Sequence, residues 1–225
     1  MKYVLYMHGG SGNRGCEAIV RTTSKLLNKP NDSVLWSFNK MEDEQCGIDQ
    51  LYSRIVVSEE IKRFSLSHFQ SLYRRKVLHQ NDVNMKIFLK NTFNGSIALC
   101  VGGDNYCYPW SAKQAVELNR EIRKHAKATV FWGCSIEEDA LSDEVKEDLR
   151  QYSLITAREQ LSYQLLKQIN PNTIQVSDPA FTLKPEYLPL PDEFIEGNTV
   201  GINVSPLIMK YGDSSVIFEN YKQLM

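Results

Sequence analysis

Apolar residues fall along the chain in short blocks, and most blocks are followed by a stretch patterned at helical spacing. Residues 3–7 form the first block. They run into a glycine-rich turn, His8-Gly9-Gly10-Ser11-Gly12-Asn13-Arg14-Gly15, and a helical pattern covers 17–27. Blocks at 34–38 and 54–57 read as a second and third strand. Residues 59–91 are helical in pattern and rich in charge, with Phe64, Phe69, Leu72 and Leu78 available for one face. Next, 97–101 enters Gly102-Gly103, a helix covers 112–126, and 129–132 enters Gly133. Ser142 predicts an N-cap, with Asp143 and Glu144 in the favourable first turn of its helix. A strand at 153–156, a helix at 159–169 that stops before Pro171, and a strand at 173–176 complete the series. Short apolar runs bounded by turn residues suit strands buried on both faces. Their alternation with helices predicts an α/β fold, a doubly wound Rossmann-like parallel sheet.

The pattern changes after 184. Residues 185–198 carry Pro185, Pro189 and Pro191 with several acidic side chains and read as a linker. A strand at 199–204 and a helix at 214–224 follow. The expected organisation is a Rossmann-like N-terminal domain at 1–184, a linker at 185–198, and the start of a truncated second Rossmann-like domain at 199–225. The length of 225 residues fits one large domain plus part of another, at roughly 150 residues per domain.

Composition narrows the function classes. A formal net charge of −1 gives no argument for nucleic-acid binding. The basic cluster Arg74-Arg75-Lys76 reads as a solvated helix face. The 5 cysteines show no zinc-ligand spacing, and an odd count without a secretion signal points to a reduced, cytoplasmic protein. No run approaches the roughly 20 apolar residues of a membrane span.

Candidate chemistry lies in the loops after the strands, because open α/β sheets bind ligands beyond the carboxyl ends of their strands. Gly10, Gly12 and Gly15 match G-x-G-x-x-G, the dinucleotide spacing. That reading needs an acidic residue at the end of the second strand, but Phe38-Asn39-Lys40 stand there and Glu42 comes only after them. An ATPase P-loop is excluded, because Cys16-Glu17 follow Gly15 where Lys and Ser/Thr are required. A tight packing turn accounts for Gly9 and Gly10. Asn13 and Arg14 fit better as ligand-facing groups, although Arg14 reads equally as a surface residue. Asp104 is either a helix or turn cap or a partner for a ligand, and Ser135 has the same two readings. Arg158, at a strand end before a helix, suits a carboxylate or phosphate; the competing role is an ion pair with Glu159 or another acidic neighbour. Asp178 before Pro179 fixes a turn or joins the cleft. His8 is the one histidine at a strand end, with no nucleophile evident beside it.

Taken in order, these loops resemble the polysaccharide pyruvyl transferase family. The residues that carry the resemblance are Gly12-Asn13-Arg14-Gly15-Cys16-Glu17-Ala18-Ile19, Val101-Gly102-Gly103-Asp104, Gly133-Cys134-Ser135-Ile136, Thr156-Ala157-Arg158-Glu159 with Ser162, Ser177-Asp178-Pro179-Ala180-Phe181, and Val200-Gly201-Ile202-Asn203-Val204-Ser205. Cys16 stands where the family often has an acidic residue. The resemblance implies the first half of a GT-B-like two-domain architecture. It also implies transfer of a pyruvyl group from phosphoenolpyruvate to a sugar of a cell-surface polysaccharide, forming a ketal. Expected partners are a small-molecule donor and a saccharide acceptor, with no nucleic acid, no membrane span, no cofactor beyond the donor substrate and no metal. Arg158 and Asp104 are the expected catalytic residues. Gly12, Asn13, Arg14, Gly103, Ser135, Glu159 and Asp178 are the expected substrate-binding residues. The family's basic and histidine groups for phosphoenolpyruvate are expected in the second domain, so this chain alone is expected to be incomplete. A nucleotide-sugar glycosyltransferase of the GT-B type and a non-catalytic sugar-binding relative remain as alternatives, since fold does not fix function.

Overall fold

The structure is a computed structural model that describes residues 1–58, 83–202, 208 and 212–224. The helical expectation for 59–82, with Phe64, Phe69, Leu72, Leu78 and the basic cluster at 74–76, lies outside the described residues. Two compact units divide the chain, 1–184 and 185–225.

The first unit is built on a seven-stranded sheet, parallel throughout. Its strands are β1 (Tyr3–His8), β2 (Ser33–Ser37), β3 (Arg54–Val56), β4 (Ile97–Cys100), β5 (Ala128–Cys134), β6 (Leu154–Ala157) and β7 (Thr173–Gln175). Their spatial order is β3-β2-β1-β4-β5-β6-β7, the Rossmann-like α/β arrangement. The order reverses between β1 and β4, and at such a switch point the loops leave in opposite directions and open a crevice.

Period-two alternation sends neighbouring residues to opposite faces of the sheet. Val4, Tyr6, Val34, Trp36, Ala98, Cys100 and Phe131 share one core with Leu89, Phe93, Ala112, Val116, Val145, Leu149 and Leu166 from helices Val83–Phe93, Pro109–Ile122, Asp143–Arg150 and Gln160–Ile169. Leu5, Leu35, Leu99, Val101 and Val130 face the other way, onto Ile19 and Val20 of helix Arg14–Leu27. Both faces are thereby covered, which is why the strand sequences read as continuous apolar runs.

Local chemistry sets the boundaries. Helix Arg14–Leu27 starts three residues before its apolar pattern because Asn13 Oδ1 caps it, accepting from the Gly15 and Cys16 N–H groups. It ends on Asn28 in the left-handed conformation (φ 48). Ser142 caps its helix as expected, through the Val145 N–H. The short helix Lys40–Gln45, capped by Asn39, has no counterpart in the sequence pattern. Its six residues, Lys-Met-Glu-Asp-Glu-Gln, are too few and too polar to show a period.

In the second unit, Ser214–Leu224 is helical as expected, and Asp213 accepts from the Ser215 and Val216 N–H groups at its start. The expected strand at 199–204 is not seen at 199–202, which has no regular structure; 203 and 204 lie outside the described residues. Among all the described residues, no helix is long and apolar enough to cross a membrane.

Candidate functional site

Arg158 follows the last residue of β6, and its N–H donates to the Cys134 carbonyl at the end of β5. Its guanidinium turns toward the neighbouring loops. Nε donates to Ser135 Oγ at 2.8 Å, and Nη1 pairs with Asp178 Oδ2 at 3.0 Å. Nη2 makes no hydrogen bond among the described residues. Of the two sequence readings of the acidic partner, the structure selects Asp178. Glu159 caps the 160–169 helix, accepting from the Leu161 and Ser162 N–H groups at 2.7 and 2.9 Å. Asp178 also holds its own turn, accepting from the Ala180 N–H at 2.8 Å.

Gly103 makes the close packing possible. A Cβ there would come within 3.0 Å of Arg158 Cζ and closer still to Nη1. The Gly103 carbonyl accepts from the Ser135 N–H at 2.8 Å, which ties the loop after β4 to the loop after β5. Gly103, Ser135, Arg158 and Asp178 therefore form one cluster, drawn from four strand ends.

Asp104 is exposed at the edge of this cluster, and its side chain makes no hydrogen bond among the described residues. Two half-buried thiols report where it sits. Burial pushes the Cys16 thiol up and the Asp104 charge raises it further, while Arg158 opposes the rise. Burial pushes the Cys107 thiol up to about 11, again with Asp104 adding and Arg158 opposing. The same two charges act on a thiol at the start of the 14–27 helix and on one in the loop after β4. Asp104 and Arg158, the two expected catalytic side chains, thus both act on these two thiols.

The glycine loop after β1 is engaged differently. The Gly12 N–H donates to Glu42 Oε2 at 2.8 Å, and a Cβ at Gly10 or Gly12 would meet the same carboxylate. Arg14 is largely exposed, paired with Glu17 at 2.7 Å and close to Cys46 Sγ at 3.4 Å. Asn13 is the helix cap already described. The structure does not bring Gly12, Asn13 or Arg14 into hydrogen-bond contact with the Arg158 cluster.

Beneath that loop lies a group that sequence reasoning passed over. His8 Nε2 and Ser11 Oγ both reach Asp43 Oδ1, at 2.8 and 2.5 Å, and all three side chains are buried. Burial by itself would raise the Asp43 carboxyl; the hydrogen bonds from His8 and Ser11 outweigh it and hold the group below its ordinary value. Because both partners share one carboxylate oxygen, the group orients the loop and is not a nucleophile relay. Its signal in the sequence was a histidine at a strand end. Asp43 was hidden in the short polar helix. Among the described residues, no group of three His, Cys, Asp or Glu side chains is placed to hold a metal ion.

The sheet order and the gathered loops define a Rossmann-like α/β domain with a charged cluster at the carboxyl ends of its strands. The chain belongs to the polysaccharide pyruvyl transferase family, whose sequence model matches residues 13–224. No curated protein and no solved structure matches it significantly.

Proposed function

We propose that this protein transfers a pyruvyl group from phosphoenolpyruvate to two hydroxyls of a polysaccharide sugar, forming a cyclic ketal and releasing phosphate. The observation that carries this reading is Arg158, a permanent cation held at the carboxyl ends of the strands in a family member by Ser135 and Asp178. A planar guanidinium suits the donor's carboxylate or phosphate better than an ammonium does. In the reaction, the enol CH2 takes a proton and becomes the ketal methyl. One sugar oxygen bonds to the adjacent carbon, the C–O bond to phosphate breaks, and the second sugar oxygen closes the ring as its proton leaves. Arg158 stabilises the negative charge of the donor and leaving phosphate. Asp104, exposed beside it, accepts a proton from a sugar hydroxyl.

Glu42 argues against a dinucleotide in the glycine loop. Its carboxylate occupies the N–H of the glycine loop, where a dinucleotide would place its pyrophosphate, and like charges repel there. The five cysteines are all free thiols, in keeping with a cytoplasmic enzyme.

The test is donor choice by the full-length protein. Acceptor-dependent release of phosphate from phosphoenolpyruvate, with pyruvate ketal found on the glycan by mass spectrometry, is the expected result. Release of nucleotide from a nucleotide sugar, with none of phosphate from phosphoenolpyruvate, would replace this reading with glycosyl transfer.

A further inference from the structure

A groove of about 630 Å³ lies beside the Arg158 cluster, along the 160–169 helix. Leu161, Gln164, Leu165 and Gln168 form its helical wall, set on one face by the 3.6-residue period. Glu137 and Glu138, from the segment after β5, also line it. At one end the groove reaches Ser135 and Glu159, the residues next to the guanidinium.

The two walls are locked together. The buried Ser162 Oγ accepts from the Ile136 N–H at 2.8 Å and donates to the Ile136 carbonyl at 3.3 Å. Glu159 fixes the first turn of the helix from outside. The groove is therefore formed before any ligand arrives, and its volume lies in the range of small-molecule sites.

Its chemistry separates two kinds of ligand. Among the described residues, the lining carries carboxylates and carboxamides but no basic side chain. Glu137 and Glu138 repel an anionic donor, whereas Arg158, beyond the groove's end, attracts one. A neutral saccharide meets no such conflict. Its hydroxyls can bond to the carboxylates and to Gln164 and Gln168, while its C–H faces rest on Leu161 and Leu165. The adjoining loop adds a second feature. Tyr106 forms a parallel bridge to Ile136, so the loop after β4 runs beside the 136–138 segment. Just beyond it, Tyr108 and Trp110 stand with ring planes 15° apart, and Trp110 is 66% exposed. An exposed indole offers a flat apolar surface on which a pyranose ring can stack.

We infer that this groove is the acceptor subsite: a neutral saccharide chain lies along the 160–169 helix, leading away from Arg158, with Trp110 at its edge. The assignment rests on the transferase reading above and specifies which part of the surface takes the glycan. The test is steady-state kinetics of the full-length protein carrying Gln164→Ala and Gln168→Ala together, with Trp110→Ala as a separate variant. The Gln164 and Gln168 side chains are exposed, so the fold survives their loss. The KM for acceptor polysaccharide should rise about tenfold in the double variant, with kcat and the KM for phosphoenolpyruvate unchanged. Trp110→Ala should raise the acceptor KM in the same way. An unchanged acceptor KM in the double variant, or an equal rise for phosphoenolpyruvate, overturns the subsite. If the wild type transfers no pyruvyl group, the reaction assignment fails on its own. The groove is then read by saturation-transfer NMR with neutral disaccharides of glucose, galactose and mannose. Signals lost in the double variant support it; no signal from any of the three, or signals that survive the substitutions, overturn it.

Discussion

Replacing Gly103 by alanine tests whether the exact seat of the Arg158 guanidinium matters. The backbone at Gly103 is not in the left-handed region, so alanine adds no conformational strain there. The new methyl would stand 3.0 Å from Cζ and nearer to Nη1. Ordinary carbon contacts begin at about 3.5 Å, so the guanidinium must retreat by roughly 0.5 to 1 Å. Because the obstruction is the far end of a flexible side chain, the fold accommodates it. The bonds to Ser135 and Asp178 lengthen without both being lost, so the cost in stability stays near that of one charge-assisted bond, about 1.5–3 kcal/mol. At roughly 2–4 °C per kcal/mol for a domain of this size, melting falls by no more than about 12 °C. Displacement of a catalytic group by about 1 Å costs on the order of 100-fold in rate. Differential scanning fluorimetry and pyruvyl-transfer kinetics on the full-length variant, well below its melting point, separate the two effects. A folded Gly103→Ala protein with turnover within about twofold of wild type would refute the reasoning, since Arg158 would then tolerate being moved.

Three further outcomes are expected. Gly133→Ala forces a side chain into φ +62 and places its Cβ 2.7 Å from the Pro179 ring, so calorimetry should show a loss of at least about 1–2 kcal/mol; an unchanged melting temperature would contradict it. Asp43 titrates below its unfolded value of 3.8, so its stabilisation is complete above that pH and is lost as pH falls through the lowered value. Wild type should accordingly exceed Asp43→Asn in urea-melt stability at pH 7, and the gap should narrow below pH 3.8; a gap that widens in acid would contradict the hydrogen-bonded carboxylate. With its thiol near pKa 11, Cys107 should alkylate roughly 100-fold more slowly at pH 8 than a thiol of pKa 9.0, with the rate still rising at pH 10, as peptide-resolved mass spectrometry can follow. A rate that levels off by pH 9 would contradict the burial that raises this thiol.

The sequence made the sheet legible because its strands are buried on both faces and interrupted by glycine and proline. Arg158 and Asp178 were legible as residues at strand ends. Their pairing was not, since twenty positions separate them and only the adjacency of β6 and β7 joins them. Asn13 read as a ligand-facing group because its capping bonds go to backbone N–H groups, which leave no trace in side-chain pattern. Glu42 and Asp43 were missed for a related reason: a six-residue polar helix has no hydrophobic period, yet it delivers one carboxylate to the glycine loop and another to His8. The groove along the 160–169 helix depends on a turn at 136–138 that no local signal places there.

The most direct measurement is kcat/KM for phosphoenolpyruvate in full-length Arg158→Ala and Arg158→Lys, with melting followed in parallel. Arg158→Ala should lose at least about tenfold, the equivalent of one charge-assisted bond, at a temperature where the protein remains folded. Arg158→Lys should recover only part of that, since a point charge replaces a planar fork. Undiminished kcat/KM in the folded Ala variant, with only the melting temperature lowered, would contradict the account and leave Arg158 as the structural partner of Asp178 and Ser135.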